Sequence, residues 1–237
     1  MMTSVAQLTK KWAEHSKLNL HFENEMTSTN DYAKKISSTN NEIHLVLANH
    51  QTHGRGRNQN TWQDHQGDQL LCSWVFDLQS LPMPTTTCRV GLAVIHALKA
   101  TWPWLEISLK APNDIYLKQK KLGGILLENI QQGKTNRLII GIGLNVFNQP
   151  KLEIATSLAS QMQNNPIDES TWEKFLDRLL LELTFAISRS NQSLSLNDRS
   201  ALLFYLNLNP NLNETYISID ENGSLKTQNK SISWLEL

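Results

Sequence analysis

The stretch THGRGRNQNTW at residues 52–62 sits between two apolar runs and holds two glycines, two arginines and three consecutive amides. Glycine admits backbone angles closed to other residues, at an entropic cost that a merely connecting loop would avoid. Arg55 and Arg57 add permanent cations whose forked donors match carboxylates and phosphates. Three further stretches share this character. KAPNDIYLKQKKLGGIL (110–126) sets a turn at Asn113 and Asp114 ahead of Lys121 and the pair Gly123 and Gly124, GIGLNV (141–146) is a glycine-containing strand ending near Asn145, and TSTN (27–30) opens a helix with Ser28, Thr29 and Asn30. Each has an ordinary reading as well: a helix cap for Ser-Thr-Asn, a plain turn for Pro-Asn-Asp, a bulge or close backbone approach for Gly-Gly.

Composition narrows the chemistry. The 237 residues carry 22 Lys plus Arg and 22 Asp plus Glu, so the net charge is zero with histidines neutral. Indiscriminate binding to nucleic acid draws on a basic surplus or stripe, so no nucleic-acid partner is expected. A local cationic pocket stays compatible with this balance. At 40% hydrophobic and 19% charged residues, the chain can bury a real core. Cys72 and Cys88 stand in apolar surroundings without metal-ligand spacing, which fits buried thiols in a reducing cytosol. His50, His53 and His65 lie near the loop at spacings that suit no metal, so no metal held by protein ligands is expected. The first 20 residues lack an apolar core of signal-peptide length. The longest apolar run, LIIGIGLNVF at 138–147, falls far short of the about 18–20 residues of a membrane span. A cytoplasmic protein without membrane contact is expected.

The elements that must position these residues read as follows. Residues 5–17 are weakly helical, and a cap at Ser28 starts a helix running to about Ser37. EIHLVLAN (42–49) and QLLCSWVFDL (69–78) read as hairpin partners across the Gly-Arg loop. Helical spacing of Val90, Ala93, Val94, Ala97 and Leu98 marks 85–102. Strands are expected at 106–111, 114–118, 121–130 and 136–146, an amphipathic helix at 168–190 and a shorter one near 196–206. Residues 207–213 form a linker to two or three small strands turning at 221–224. This order predicts an α+β fold, a mixed, mainly antiparallel sheet packed by helices. The division expected is a main unit at 1–208 and an abbreviated β appendage at 209–237.

Taken together and in order, GRGRNQNTW, KAPNDI, KLGGIL and GIGLNV, preceded by STN, resemble the motifs of biotin protein ligases over roughly residues 20–190. The resemblance implies a class II synthetase-like catalytic domain that joins biotin to ATP, releases pyrophosphate and holds biotinyl-5′-AMP. It implies transfer of biotin to one lysine of a biotin carboxyl carrier protein of acetyl-CoA carboxylase. Such a reaction brings one anion against another, so the protein must supply positive charge, alignment and exclusion of water. The resemblance gives Arg55, Arg57, Lys121 and Asp114 to the catalytic centre. It gives Ser28, Thr29, Asn30, Gln51, the Gly54–Arg57 segment, Trp62, Asn113, Gly123, Gly124 and Asn145 to substrate binding. Gln51 suits the ureido ring as donor and acceptor, Trp62 packs on the nucleotide side, and Asn145 lies near the adenosine or phosphates. Mg2+ would ride on the ATP phosphates with few protein ligands.

The sequence also departs from the family pattern. Ala111 stands where the family usually carries tryptophan, which bears on local packing, and Thr27 where an acidic residue often precedes Ser-Thr-Asn. A winged helix-turn-helix needs roughly 60 residues, more than precede Ser28, so the expected type is the ligase without the repressor module. A lipoate or octanoate ligase shares the fold and acyl-adenylate logic but lacks this Gly-Arg-Gly-Arg loop and its tryptophan. A biotin-responsive DNA regulator sits poorly with zero net charge. An edge strand could pair with a second copy, although an edge alone does not predict a homodimer. With no acid between Thr52 and Thr61 to pair its arginines, the loop is expected to be disordered until ligand arrives.

Overall fold

Alternating apolar residues build a seven-stranded sheet whose two faces have different work. The computed structural model describes residues 3–16, 18–36, 42–132, 135–148, 152–162 and 166–237. In chain order the elements are α1 (Val5–His15), β1 (Asn19–Met26), α2 (Thr29–Ala33), β2 (His44–Gln51), β3 (Gln69–Leu78), α3 (Thr85–Thr101), β4 (Ile107–Lys110), β5 (Asp114–Leu117), β6 (Lys120–Gln132), β7 (Thr135–Asn145), α4 (Glu169–Ser188) and α5 (Leu196–Asn207). Three two-residue strands follow, β8 (Ser218–Ile219), β9 (Leu225–Lys226) and β10 (Ser231–Ile232). The large sheet runs β1-β2-β3-β7-β6-β5-β4, and the tail forms a small sheet β10-β9-β8. β1 and β2 are parallel, while every other neighbouring pair is antiparallel. The fold is the expected α+β class with a mixed, mainly antiparallel sheet.

Two differences from the sequence reading have plain causes. β1 is a half-exposed edge strand interrupted by Glu23 and Glu25, so it lacks a clean apolar stripe. α2 ends at Ala33, and Ser37 lies outside the described residues. Its cap is as expected, with the Ser28 hydroxyl accepting from the Asp31 N–H at 3.5 Å.

Period-two alternation sorts the sheet faces. Leu70, Cys72, Trp74 and Phe76 of β3, with Leu138, Ile140, Ile142 and Leu144 of β7, point into the main core shared with α1, α3 and α4. On the opposite face a smaller cluster of Val46, Ala48, Val75 and Ile139 packs under Met26, Ala33 and Ile36. That face carries α2 and the 52–62 loop. Among the described residues no helix is long and apolar enough to cross a membrane.

The tail is tied to the body. Ile219, Leu225 and Trp234 join the main core, and Trp234 Nε1 donates to the Pro112 carbonyl at 3.1 Å. The C-terminal tail, through Trp234, thus braces the turn that presents Asn113 and Asp114.

Candidate active site

A trough opens on the α2 face because the central strands carry glycine there. Gly141 and Gly143, two apart on β7, face the same side, and Gly143 pairs with Gly124 of β6 while Gly141 pairs with Ser73 of β3. Side-chain atoms from elsewhere fill the space so freed. Asn30 Oδ1 would lie 2.3 Å from a Cβ at Gly141, and the Trp62 ring 2.7–3.0 Å from one at Gly143. The cavity above is about 140 Å³, and its lining includes Ser28, Gln51, Arg57, Trp62, Asp114 and Lys121.

A buried polar chain holds one end. Gln51 Oε1 accepts from the Thr29 N–H at 2.7 Å and from the Thr29 hydroxyl at 3.2 Å. Ser73 Oγ lies 2.8 Å from Thr29 Oγ1 and 2.6 Å from Asn30 Oδ1. Asn30 Nδ2 donates onward to Glu128 at 2.8 Å. With Thr29, Asn30 and Ser73 buried, these bonds fix which groups of Gln51 and Thr29 can meet a ligand.

Lys121 holds the other end. Its Nζ lies 2.8 Å from Asp114 Oδ1 and 5.8 Å from the centre of the Trp62 ring. Backbone bonds at both faces of the residue, Lys121 N–H to Ile154 O at 2.8 Å and Thr156 N–H to Lys121 O at 2.9 Å, make the mount rigid. Asn113 instead turns its amide into the sheet, with Nδ2 donating to Ile125 O at 2.9 Å. Asn145, expected at the ligand, lies outside the cavity lining, and its Oδ1 accepts from Gln69 Nε2 at 2.7 Å. Through that bond it steadies Gln69, which also donates to Gln63 O at 3.2 Å just beyond Trp62.

The loop between these ends is folded on itself. Gly56 N–H donates to Asn60 O at 2.7 Å and Trp62 N–H to Gly54 O at 2.9 Å. The positive φ angles fall on Asn58 (52°) and Gln59 (62°), not on Gly54 or Gly56. Those glycines serve close approach instead, since a Cβ at Gly54 would lie 2.8 Å from the Trp62 carbonyl oxygen. Nor does the loop lack acids, because they arrive from outside it. Arg55 reaches Asp31 Oδ1 at 2.6 Å and Glu128 at 3.0 and 3.1 Å. Burial works against the Arg55 charge, but Glu128 and Asp31 outweigh it and hold the pKa above its usual value. Burial likewise opposes charge on Glu128, yet donors from Lys34, Asn30 and Arg55 keep its pKa below the usual carboxylate value. Its contribution to stability is therefore present at neutral pH and lost only as pH falls through that lowered value.

Residues 23–145 match the Biotin/lipoate A/B protein ligase family. The chain belongs to that family. It is similar to the bifunctional ligase/repressor BirA of Bacillus subtilis, at 33% identity over 155 residues, 61% of this chain and 47% of that protein. It is similar also to the biotin--[acetyl-CoA-carboxylase] ligase of Mycobacterium tuberculosis, at 30% identity over 130 residues, 53% of this chain and 47% of that protein. The chain thus spans about half the length of the curated relatives it matches. Among solved structures, a biotin protein ligase from Aquifex aeolicus in complex with biotin and ATP aligns with a TM-score of 0.69 at 25% identity, over 90% of this chain and 95% of that one.

Within this biotin/lipoate ligase fold, sequence reasoning passed over Asp31, Ser73 and Glu128. Ser73 sits mid-strand in an apolar run, and Glu128 follows LGGILL, so each reads locally as strand filler. A polar residue on the face that glycines open was the available signal. Beside Ala111 lies a cavity of about 350 Å³ whose lining includes Leu206, Tyr216 and Ile232. A larger groove of about 920 Å³ lies between β4 and α5, lined by Trp104, Phe204 and Leu208 among others. Cys72 is fully buried beneath the cavity, and burial pushes its thiol up to about 12, which leaves it a poor nucleophile. No group of three or more potential metal ligands occurs among the described residues, and His50 is taken by Asp64 at 2.8 Å.

Proposed function

We propose that this chain activates biotin with ATP and transfers it to a carrier lysine. The observation that carries this reading is the Lys121 ammonium, held by Asp114 and lying over Trp62, in the lining of the same cavity as Gln51 and Thr29. A ligand polar at one end and anionic at the other spans these two groups. Gln51 and Thr29 take the ureido ring, while Lys121, with Arg57 on the loop, faces the carboxylate and α-phosphate. A carboxylate oxygen attacks the α-phosphorus, the bond to the bridging oxygen of the β-phosphate breaks, and pyrophosphate leaves. The carrier amine then attacks the acyl carbon, AMP departs, and the amine proton is lost as the amide forms. No protein nucleophile is needed, and the inert Cys72 fits that scheme.

Asp114 is the only carboxylate lining the cavity among the described residues. One carboxylate beside phosphates suits Mg2+, which favours few protein ligands together with substrate oxygens and water. We assign that place to Asp114, with the metal's charge adding to that of Lys121 against the phosphates. Residues 1–208 form the catalytic unit in this reading, and 209–237 an appendage bracing Pro112–Asp114. The partner is a biotin carboxyl carrier protein, and the setting is the cytoplasm. After incubation with biotin, ATP and Mg2+, mass spectrometry of the denatured protein's extract is expected to release biotinyl-5′-AMP. Release of a lipoyl adenylate in preference, when both acids are offered, would overturn the substrate assignment.

A further inference from the structure

Glu128 does not line the cavity, yet it joins three elements that do. It accepts from Asn30 of α2 at 2.8 Å and from Lys34 at 2.8 Å. Both terminal nitrogens of Arg55 reach its two oxygens, Nη2 to Oε1 at 3.0 Å and Nη1 to Oε2 at 3.1 Å. Asp31 adds a third bond to the same guanidinium at 2.6 Å. We propose that Glu128 is a positioning residue that latches the 52–62 loop over the cavity through Arg55, and so sets how long the activated acyl-adenylate is held. The lifetime part of this proposal rests on the function proposed above, whereas the latch itself does not.

The geometry favours a latch over direct contact with substrate. A forked, two-point pairing fixes direction as well as distance. The guanidinium so engaged has its strongest acceptors already supplied by protein carboxylates. Glu128 stands on β6 two and four residues beyond Leu126 and Gly124, on the face that bears the trough. It is therefore anchored in the central sheet while its partner rides on the loop. Backbone bonds tie the start of the loop to the body, from Thr52 N–H to Met26 O and from His53 N–H to Thr27 O, each at 2.9 Å, whereas the bonds between Gly54 and Trp62 are internal, so side chains must fasten that part. The chain of contacts from Gln51 through Thr29, Ser73 and Asn30 ends on this same carboxylate. The polar end of the cavity and the loop fastening thus share one network.

Glu128→Gln keeps the shape and removes the charge. Two measurements on the full chain test it. With adenylate formed in place and chased by unlabelled biotin and ATP, release is expected to quicken about tenfold, which is about 1.4 kcal/mol. The kcat for adenylate formation is expected to fall less than threefold. Without ligand, trypsin is expected to cut after Arg55 and Arg57 about tenfold faster in the variant, with other tryptic sites unchanged. A loss of general stability would instead expose many sites together. Lys34→Met removes a neighbour of Glu128 but leaves the Arg55 fork, so its effect on both readouts is expected to stay under threefold. Arg55→Met, which itself removes one of the two tryptic sites, is expected to match Glu128→Gln in cleavage after Arg57 and in adenylate release, and the double variant to be no worse than either alone in those two readouts.

Unchanged trypsin cleavage in Glu128→Gln, or additive effects in the double variant, would overturn the latch. Adenylate released at the wild-type rate despite faster cleavage would overturn its role in retention. If the wild-type chain formed no adenylate at all, the proposed function would fail, and the trypsin and double-variant results would still decide the latch.

Discussion

Replacing Lys121 by methionine is expected to slow adenylate formation about 10²–10³-fold, the usual cost of losing one preorganised charge-stabilising donor. The attacking carboxylate and the α-phosphate are both anionic, so their approach depends on a cation already in position. Lys121 is better fixed than a loop residue could be. Its backbone is bonded to Ile154 and Thr156, and its ammonium is oriented by Asp114 at 2.8 Å. Methionine retains the length and the packing against Trp62 while discarding the charge. Biotin affinity is expected to change little, because Gln51 and Thr29 hold the ureido end. Stopped-time assay of adenylate together with a biotin titration separates the two effects. A loss in rate below tenfold would remove Lys121 from the catalytic centre.

Gly141→Ala is expected to be the most disruptive single-methyl change near the site. The added Cβ would lie 2.3 Å from Asn30 Oδ1 and 3.0 Å from its Cγ. β7 cannot withdraw, since Gly141 pairs with Ser73 on one side and Leu126 on the other. Asn30 is buried and must give way, breaking its contacts with Ser73 at 2.6 Å and Glu128 at 2.8 Å. Overpacking of this kind costs about 1–3 kcal/mol, and a chain of this size loses about 2–4 °C in melting temperature per kcal/mol. Biotin affinity is expected to fall at least tenfold, because Thr29 and Gln51 share the disturbed network. Removing the clashing side chain in Gly141→Ala/Asn30→Ala is expected to restore part of the stability but not the affinity. A Gly141→Ala protein as stable as wild type would show that Asn30 is not held where the structure has it.

Much of this was legible in the chain, for identifiable reasons. Strands β2, β3 and β5–β7 announce themselves because their apolar residues alternate or run together, and α3 and α4 because theirs recur at helical spacing. β1 escaped because an edge strand need satisfy only half a pattern, and Glu23 and Glu25 break even that. At the site, Lys121, Asp114, Gln51 and Trp62 stand out through unusual local composition, and all four line one cavity. Asn145 stands outside that lining, with its side chain on Gln69. Ser73 and Glu128 were silent since their significance arises only when α2, β3 and β6 meet. Gly54 and Gly56 drew notice for the wrong physical reason, because close approach and unusual φ leave the same letter in a sequence.

The central claim is tested most directly by exchange of labelled pyrophosphate into ATP by the intact chain, with biotin, lipoate or neither acid present. Exchange that requires biotin and Mg2+ together, and is at background with lipoate alone, is the result predicted here. Equal exchange with lipoate, or none with biotin, would contradict it.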